Sequence, residues 1–199
     1  MRLANYVYKR DFLTKEECNK LIEEGKKNVQ KASVFKSKDE PLESDLKVRN
    51  TNVSFFENGS AVQYIIEKII DEICAASLDL YGVYITDIEP VQYAEYEKGM
   101  FYGWHTDSSS QKGKGIMHKR DISVSLILNS KDEYTGGSLQ MITPNCITED
   151  NTIEPKDVEV QEQGTLIIFP SSMIHQVRPV LSGVRKSLVL WTGSNIKFN

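Results

Sequence analysis

Apolar residues recur at helical spacing only within about the first eighty residues, and from Ile85 the pattern changes to short strands, which makes this an α+β chain with its helices first. A third observation closes the strands on one another. His105 and Asp107 are separated by one residue, so in an extended segment they share a face and can point at one atom. Two imidazoles and a carboxylate on one face of an octahedron leave the other positions open, as in non-haem Fe(II) centres. The second imidazole, His175, lies about seventy residues further on, so the chain must return to the same point after several strands. A double-stranded β-helix (jelly roll, cupin-like) does this, and the N-terminal helices are expected to pack on its larger sheet.

The elements follow in order. Thr14-Lys15-Glu16-Glu17 has capping-box spacing, and Cys18, Leu21 and Ile22 continue an apolar stripe, which predicts a short first helix. Lys36 to Lys47, charged and containing Pro41, has no periodicity and reads as a loop. Val48 to Phe56 then reads as the first strand. Gly59-Ser60 opens a second helix, in which Val62, Ile65, Ile66, Ile69, Ile70, Ile73 and Cys74 form a core stripe while Glu67, Lys68, Asp71 and Glu72 face water. Short strands follow at Glu89–Tyr96, Ile122–Leu128, Ser138–Ile142, Asp157–Val160, Thr165–Phe169, Ile174–Val180 and Lys186–Thr192. Two polar segments, Ser108–Met117 and Pro144–Lys156, are expected on the surface; the first leaves directly from Asp107 and is either a lid or a disordered connection.

Composition narrows the class without naming it. With 199 residues, 40% apolar, the chain can bury one substantial core and is expected to form a single domain over 1–199, with helical support at about 12–80 and a barrel at about 85–193. A net charge of -4 with mixed signs argues against a nucleic-acid surface built on bulk charge. The first residues lack the apolar core of a signal peptide and no apolar run reaches membrane-spanning length, so a cytoplasmic protein without a membrane partner is expected. Cys18, Cys74 and Cys146 are odd in number and widely spaced, which predicts reduced, buried thiols.

A bare His-x-Asp is a weak signal, and its flanks decide its meaning. The first ligand pair ends the run Gln92-Tyr93-Ala94-Glu95-Tyr96-Glu97-Lys98-Gly99-Met100-Phe101-Tyr102-Gly103-Trp104-His105-Thr106-Asp107. The second lies in Ile174-His175-Gln176-Val177-Arg178-Pro179-Val180, followed by Gly183-Val184-Arg185-Lys186-Ser187. Leu128-Asn129 and Gly136-Gly137-Ser138-Leu139 stand between them. Over about residues 48–192 the chain resembles the 2-oxoglutarate and Fe(II)-dependent oxygenases, in particular the prolyl 4-hydroxylase branch and the bacterial PKHD-type hydroxylases.

The resemblance implies Fe(II) held by His105, Asp107 and His175, with 2-oxoglutarate and O2 as co-substrates and ascorbate as a reductant. The reaction implied is hydroxylation of an unactivated C–H, on a peptidyl proline or other amino-acid residue, with release of succinate and CO2. Arg185 follows His175 across a turn marked by Leu181-Ser182-Gly183, and the two are expected on neighbouring strands lining one cavity. A buried guanidinium needs a carboxylate partner, and the resemblance supplies the distal carboxylate of 2-oxoglutarate, with Ser187 adding a hydrogen bond and Tyr96 lying alongside. At period two Arg185, Ser187, Val189 and Trp191 face inward. Nucleic-acid demethylases of the AlkB type carry a second arginine where this chain has Trp191, and the prolyl hydroxylase branch carries tryptophan. Tyr102 and Trp191 are expected to border the substrate. His118 sits among lysines and reads as a solvated side chain outside the site.

Three classes of function stay open at this stage. One is a 2-oxoglutarate-dependent hydroxylase of a peptide, protein or amino-acid substrate. A second is a cupin-type metal dioxygenase that does not use 2-oxoglutarate, and the third a non-catalytic jelly-roll binding module.

Overall fold

Thr14 turns extended chain into helix: its hydroxyl accepts the Glu17 N–H while the Glu17 carboxylate accepts the Thr14 N–H at 2.8 Å, which closes the expected capping box and starts α1 (Lys15–Gly25). The computed structural model describes residues 6–32, 48–108 and 119–194. The second helix, α2 (Gln63–Tyr81), begins later than Gly59-Ser60 because residues 59–62 are taken up by turns, in which Gln63 N–H donates to Ser60. Its stripe is the expected one. Val62, Ile65, Ile66, Ile69 and Ile73 are buried, while Ile70 and Cys74 are half-buried. Cys74 therefore departs from the expected buried thiol, because it lies at the edge of the stripe, whereas Cys18 and Cys146 are buried; all three are free.

Two facing sheets form the barrel. The major sheet runs β1 (Val7–Lys9), β12 (Leu166–Pro170), β8 (Ile122–Ile127), β15 (Arg185–Gly193), β6 (Gln92–Tyr96), β4 (Asn52–Phe55) and β2 (Gln30–Lys31), with β5 (Asp87–Ile88) pairing β15. The minor sheet runs β11 (Lys156–Asp157), β10 (Leu139–Met141), β13 (His175–Val177), β7 (Phe101–His105) and β3 (Arg49–Asn50). A separate pair joins β9 (Tyr134–Gly136) to β14 (Val180–Gly183).

Strand alternation sorts the side chains of the major sheet onto two faces. Leu126, Leu166, Ile168, Leu188 and Leu190 pack with Leu21, Ile65, Ile69 and Ile73 of the helices. Their alternates Ile127, Ile167 and Phe169 pack instead with Leu139, Met141 and Val177 of the minor sheet. The helices thus support the larger sheet, and the inward positions are free to build a site.

Several boundaries differ from expectation. The single strand expected at Val48–Phe56 is two strands in different sheets: Arg49 pairs with Tyr102 of the minor sheet and Val53 with Ala94 of the major sheet. Buried Thr51 makes the crossing, its hydroxyl donating to the Glu95 carbonyl at 2.9 Å. β1, β2, β5 and β9 are not legible in the sequence because each is only two or three residues long, too short to show alternation, and β7 is legible only as the extended segment that carries His105. Ile174–Val180 divides at Arg178-Pro179, and Leu181-Ser182-Gly183 is strand rather than turn, held by β9. Arg185 and His175 are therefore not on neighbouring strands; they sit in opposite sheets and meet across the barrel. The expected loop at 36–47, His118 and nearly all of Ser108–Met117 lie outside the described residues.

Candidate active site

The register of β7 and β13 places His105 directly opposite His175. Each imidazole is oriented by a backbone carbonyl two residues earlier: His105 Nδ1 lies 2.7 Å from the Gly103 oxygen and His175 Nδ1 lies 2.9 Å from the Met173 oxygen. With Nδ1–H donated there, both Nε2 atoms face the centre. Asp107 does not share the strand of His105. β7 ends at His105, and Asp107 sits in the following bend, where its N–H donates to the Ser171 carbonyl at 2.8 Å. His105 Nε2 is 3.5 Å from Asp107 Oδ1, His175 Nε2 is 3.4 Å from Oδ2, and one ligand atom from each residue falls within 4.8 Å of the others.

Burial raises the Asp107 carboxyl, but the hydrogen bond from His105, the positive charge that His175 and His105 can carry, and the Ser123 hydroxyl outweigh it and hold it below the usual carboxylate range. Burial pushes His175 down, only partly opposed by Asp107. An ionised carboxylate and a neutral imidazole are the forms that bind a metal. Outside this ring, Ser123 Oγ donates to Asp107 Oδ2 at 2.8 Å and lies 2.9 Å from Ser171 Oγ, fixing the carboxylate. Three electron-rich groups converge with their outer atoms already bound, so the donor set fits a divalent cation.

Across the cavity, Arg185 is 1% exposed. Its Nη1 donates to Ser187 Oγ at 3.0 Å, while Nε and Nη2 are buried without a partner. Among the described residues no ion pair forms with it. A guanidinium in this state suits a carboxylate ligand, and the fold keeps room for it: Gly137, at φ +62, lies against the arginine, where an added Cβ would stand 3.0 Å from Arg185 Cδ and 2.9 Å from Val180 Cγ2. Tyr96, buried, presents its ring 5.5 Å from the guanidinium carbon.

All eight expected site residues line one cavity, together with Arg49, Gln92, Ser125, Leu139, Phe169 and Val189. Tyr102 stacks on His105 with ring centroids 3.5 Å apart, and burial pushes its hydroxyl up to about 12 while the nearby Arg49 charge works the other way. Trp191 lies under Arg120, whose guanidinium carbon is 4.2 Å from the ring and which also pairs with Glu89. Arg49, Ser123, Ser171 and Arg120 were not singled out from the sequence. Arg49 carries a usable signal, being the one charged residue in the segment Val48–Phe56.

A β-barrel with two histidines and an aspartate on one metal position, and a buried arginine opposite, is the framework of a mononuclear non-haem iron oxygenase. Residues 91–193 match the model of the 2OG-Fe(II) oxygenase superfamily, just over half of the sequence, and the chain belongs to that superfamily. Membership implies Fe(II), 2-oxoglutarate and O2. The chain is 29% identical to a PKHD-type hydroxylase of Synechococcus sp. over 136 residues, which cover 66% of this chain and 57% of the relative, so the match spans little more than half of that protein. A prolyl-4-hydroxylase crystal structure from Pseudomonas putida matches with a TM-score of 0.66 at 20% identity, covering 97% of this chain and 94% of that one. A prolyl hydroxylase of Trichoplax adhaerens, in complex with a hypoxia inducible factor oxygen degradation domain peptide fragment, gives a TM-score of 0.65 at 18% identity over 94% and 83% of the two chains. These structures share the fold, and the expected double-stranded β-helix is borne out. No helix among the described residues is long and apolar enough to cross a membrane.

Proposed function

We propose that this protein is a 2-oxoglutarate- and Fe(II)-dependent hydroxylase acting on an unactivated C–H of an amino-acid residue, free or in a peptide, with release of succinate and CO2. The observation that carries the reading is Arg185: a buried guanidinium with two unpartnered nitrogens, facing a two-histidine, one-aspartate cluster across one cavity. A cupin-type dioxygenase without 2-oxoglutarate would leave that charge buried and unmet.

His105, Asp107 and His175 would hold the metal through Nε2, a carboxylate oxygen and Nε2. When bound, Fe(II) chelated by the keto acid supplies the O2 chemistry that couples decarboxylation to C–H hydroxylation. Arg185 anchors the distal carboxylate of 2-oxoglutarate, Ser187 fixes the guanidinium and Tyr96 flanks it. Leu139, Phe169, Val177 and Val189 wall the cavity and exclude water, so the reactive state meets only a positioned substrate. Tyr102 and Trp191 border the substrate. No side chain is required to carry a proton. We also assign residues 1–199 to a single cytoplasmic domain, a reading supported by the core that the helices share with the major sheet and by three free thiols.

The test is to supply Fe(II), 2-oxoglutarate and a library of amino acids and peptides, and to measure succinate together with a mass gain of one oxygen atom. Succinate release that depends on both Fe(II) and 2-oxoglutarate supports the reading; consumption of neither refutes it.

A further inference from the structure

Among the residues that line the cavity, every buried polar side-chain atom without a partner is a nitrogen: Arg185 Nε and Nη2, Arg49 Nε, Gln92 Nε2 and Trp191 Nε1. The buried, unmet atoms of the wall are thus all donors, and the acceptors that face the cavity, His105 Nε2, His175 Nε2 and the Asp107 carboxylate, form the metal position in the reading above. The two Arg185 atoms belong to 2-oxoglutarate in the reading above. Three donors remain, and one of them carries a charge.

Arg49 is 9% exposed and comes from β3 at the edge of the minor sheet, opposite Tyr102. Its guanidinium carbon sits 4.7 Å from the Tyr102 ring centroid, and the same ring stacks on His105. No carboxylate among the described residues lies within ion-pair distance of it. With Fe(II) and 2-oxoglutarate in place, the charges of the site otherwise cancel. Asp107 and one carboxylate of the keto acid meet the charge of the metal, and the second carboxylate meets Arg185. Among the described residues nothing stands opposite Arg49, and a buried cation persists only where something neutralises it.

We infer, resting on the oxygenase reading, that the substrate itself carries a carboxylate that binds Arg49, with Trp191 Nε1 and the Gln92 amide as further donors. Only one aromatic ring separates the guanidinium from a candidate metal ligand, so the substrate's anionic group and its reacting carbon belong to one small molecule or one terminal residue. The substrate class is a free amino acid or a residue at a peptide C-terminus, and an internal residue of a neutral chain is disfavoured.

The experiment compares free amino acids, their α-amides and the same residues inside end-capped tripeptides. It uses wild type, Arg49→Gln and Arg49→Lys, reading succinate release and the shift in melting temperature with Fe(II) and 2-oxoglutarate present. The expected result is a preference for acid over amide of at least about tenfold in kcat/KM in wild type, consistent with the loss when one partner of a buried charge pair is removed. Arg49→Gln erases that preference, Arg49→Lys keeps part of it, and the affinity for 2-oxoglutarate stays within about twofold throughout. Equal handling of acid and amide by wild type overturns the inference. So does an Arg49→Gln variant that loses acid and amide activity equally, which would make Arg49 a ligand for a peptide carbonyl. A loss of 2-oxoglutarate affinity as large as that in Arg185→Ala would assign Arg49 to the co-substrate and overturn it too. If 2-oxoglutarate raises the melting temperature of wild type but free acids add no more than their amides, this inference alone fails. If 2-oxoglutarate neither binds nor is consumed, the oxygenase reading fails with it.

Discussion

His105 and His175 are cross-strand partners whose Nδ1 atoms are both tied to the carbonyl two residues earlier in the chain, so the pairing of β7 with β13 aims both Nε2 atoms at one point before any ligand arrives. The geometry belongs to the backbone. A metal entering the site orders little beyond itself, and the fold is not expected to depend on it.

His105→Ala, Asp107→Ala and His175→Ala are accordingly expected to abolish Fe(II)-dependent decarboxylation of 2-oxoglutarate while the protein stays folded. Circular dichroism and thermal unfolding check the fold, and a succinate assay checks the activity. Full activity in any one variant would remove that residue from the site.

Ser123→Ala should leave the three ligands in place and still weaken the metal by about 10–100-fold, the usual effect of losing an outer hydrogen bond to a ligand. The Ser123 hydroxyl is the side-chain donor to Asp107 Oδ2, and without it the carboxylate is free to turn. Metal titration with a competing chelator measures the change; an unaltered affinity would show that the Ser171 carbonyl and the bend suffice.

Arg185→Ala should weaken 2-oxoglutarate by roughly 2–5 kcal/mol, because the ligand carboxylate loses its paired charge. Arg185→Lys should recover part of this as a point charge in place of a fork. Equal affinities across the three proteins would place the co-substrate elsewhere.

At Gly137, alanine is expected to lower stability by ~1–3 kcal/mol, since it forces a left-handed backbone on a residue with a side chain. It should also lower 2-oxoglutarate affinity, because the new methyl group pushes directly on Arg185. A stability loss with unchanged affinity would separate the turn from the anchor.

Tyr102→Ala and Trp191→Ala should raise the substrate KM or uncouple succinate from product, and should change 2-oxoglutarate affinity less than Arg185→Ala does. Were Trp191→Ala simply to unfold the protein, the tryptophan would be core and not substrate wall.

What the sequence revealed and what it hid have physical causes. Arg185, Ser187, Val189 and Trp191 lie on one strand, and alternation alone puts them on one face. The two histidines and Asp107 are marked by residue type and by their flanks. Arg49, Ser123 and Ser171 reach the site through pairings between strands distant in sequence, and no local period records which strand lies beside which. The same blindness put Arg185 beside His175: Leu181-Ser182-Gly183 has turn composition, yet β9 recruits it as a strand and carries the chain over to the other sheet.

The division of labour between the sheets has a consequence for how such a protein diversifies. His105 and His175 sit on the minor sheet with Asp107 just past its end, whereas Arg185, Ser187, Tyr96 and Trp191 all stand on the major one. In the function proposed above, iron capture and keto-acid capture lie on separate leaves, joined within β3 and β4 by the crossing residue Thr51. Substitutions on opposite leaves that share no partner should combine additively in free energy. Such a scaffold can exchange one reactant's site for another while the second is left as it was, one leaf at a time.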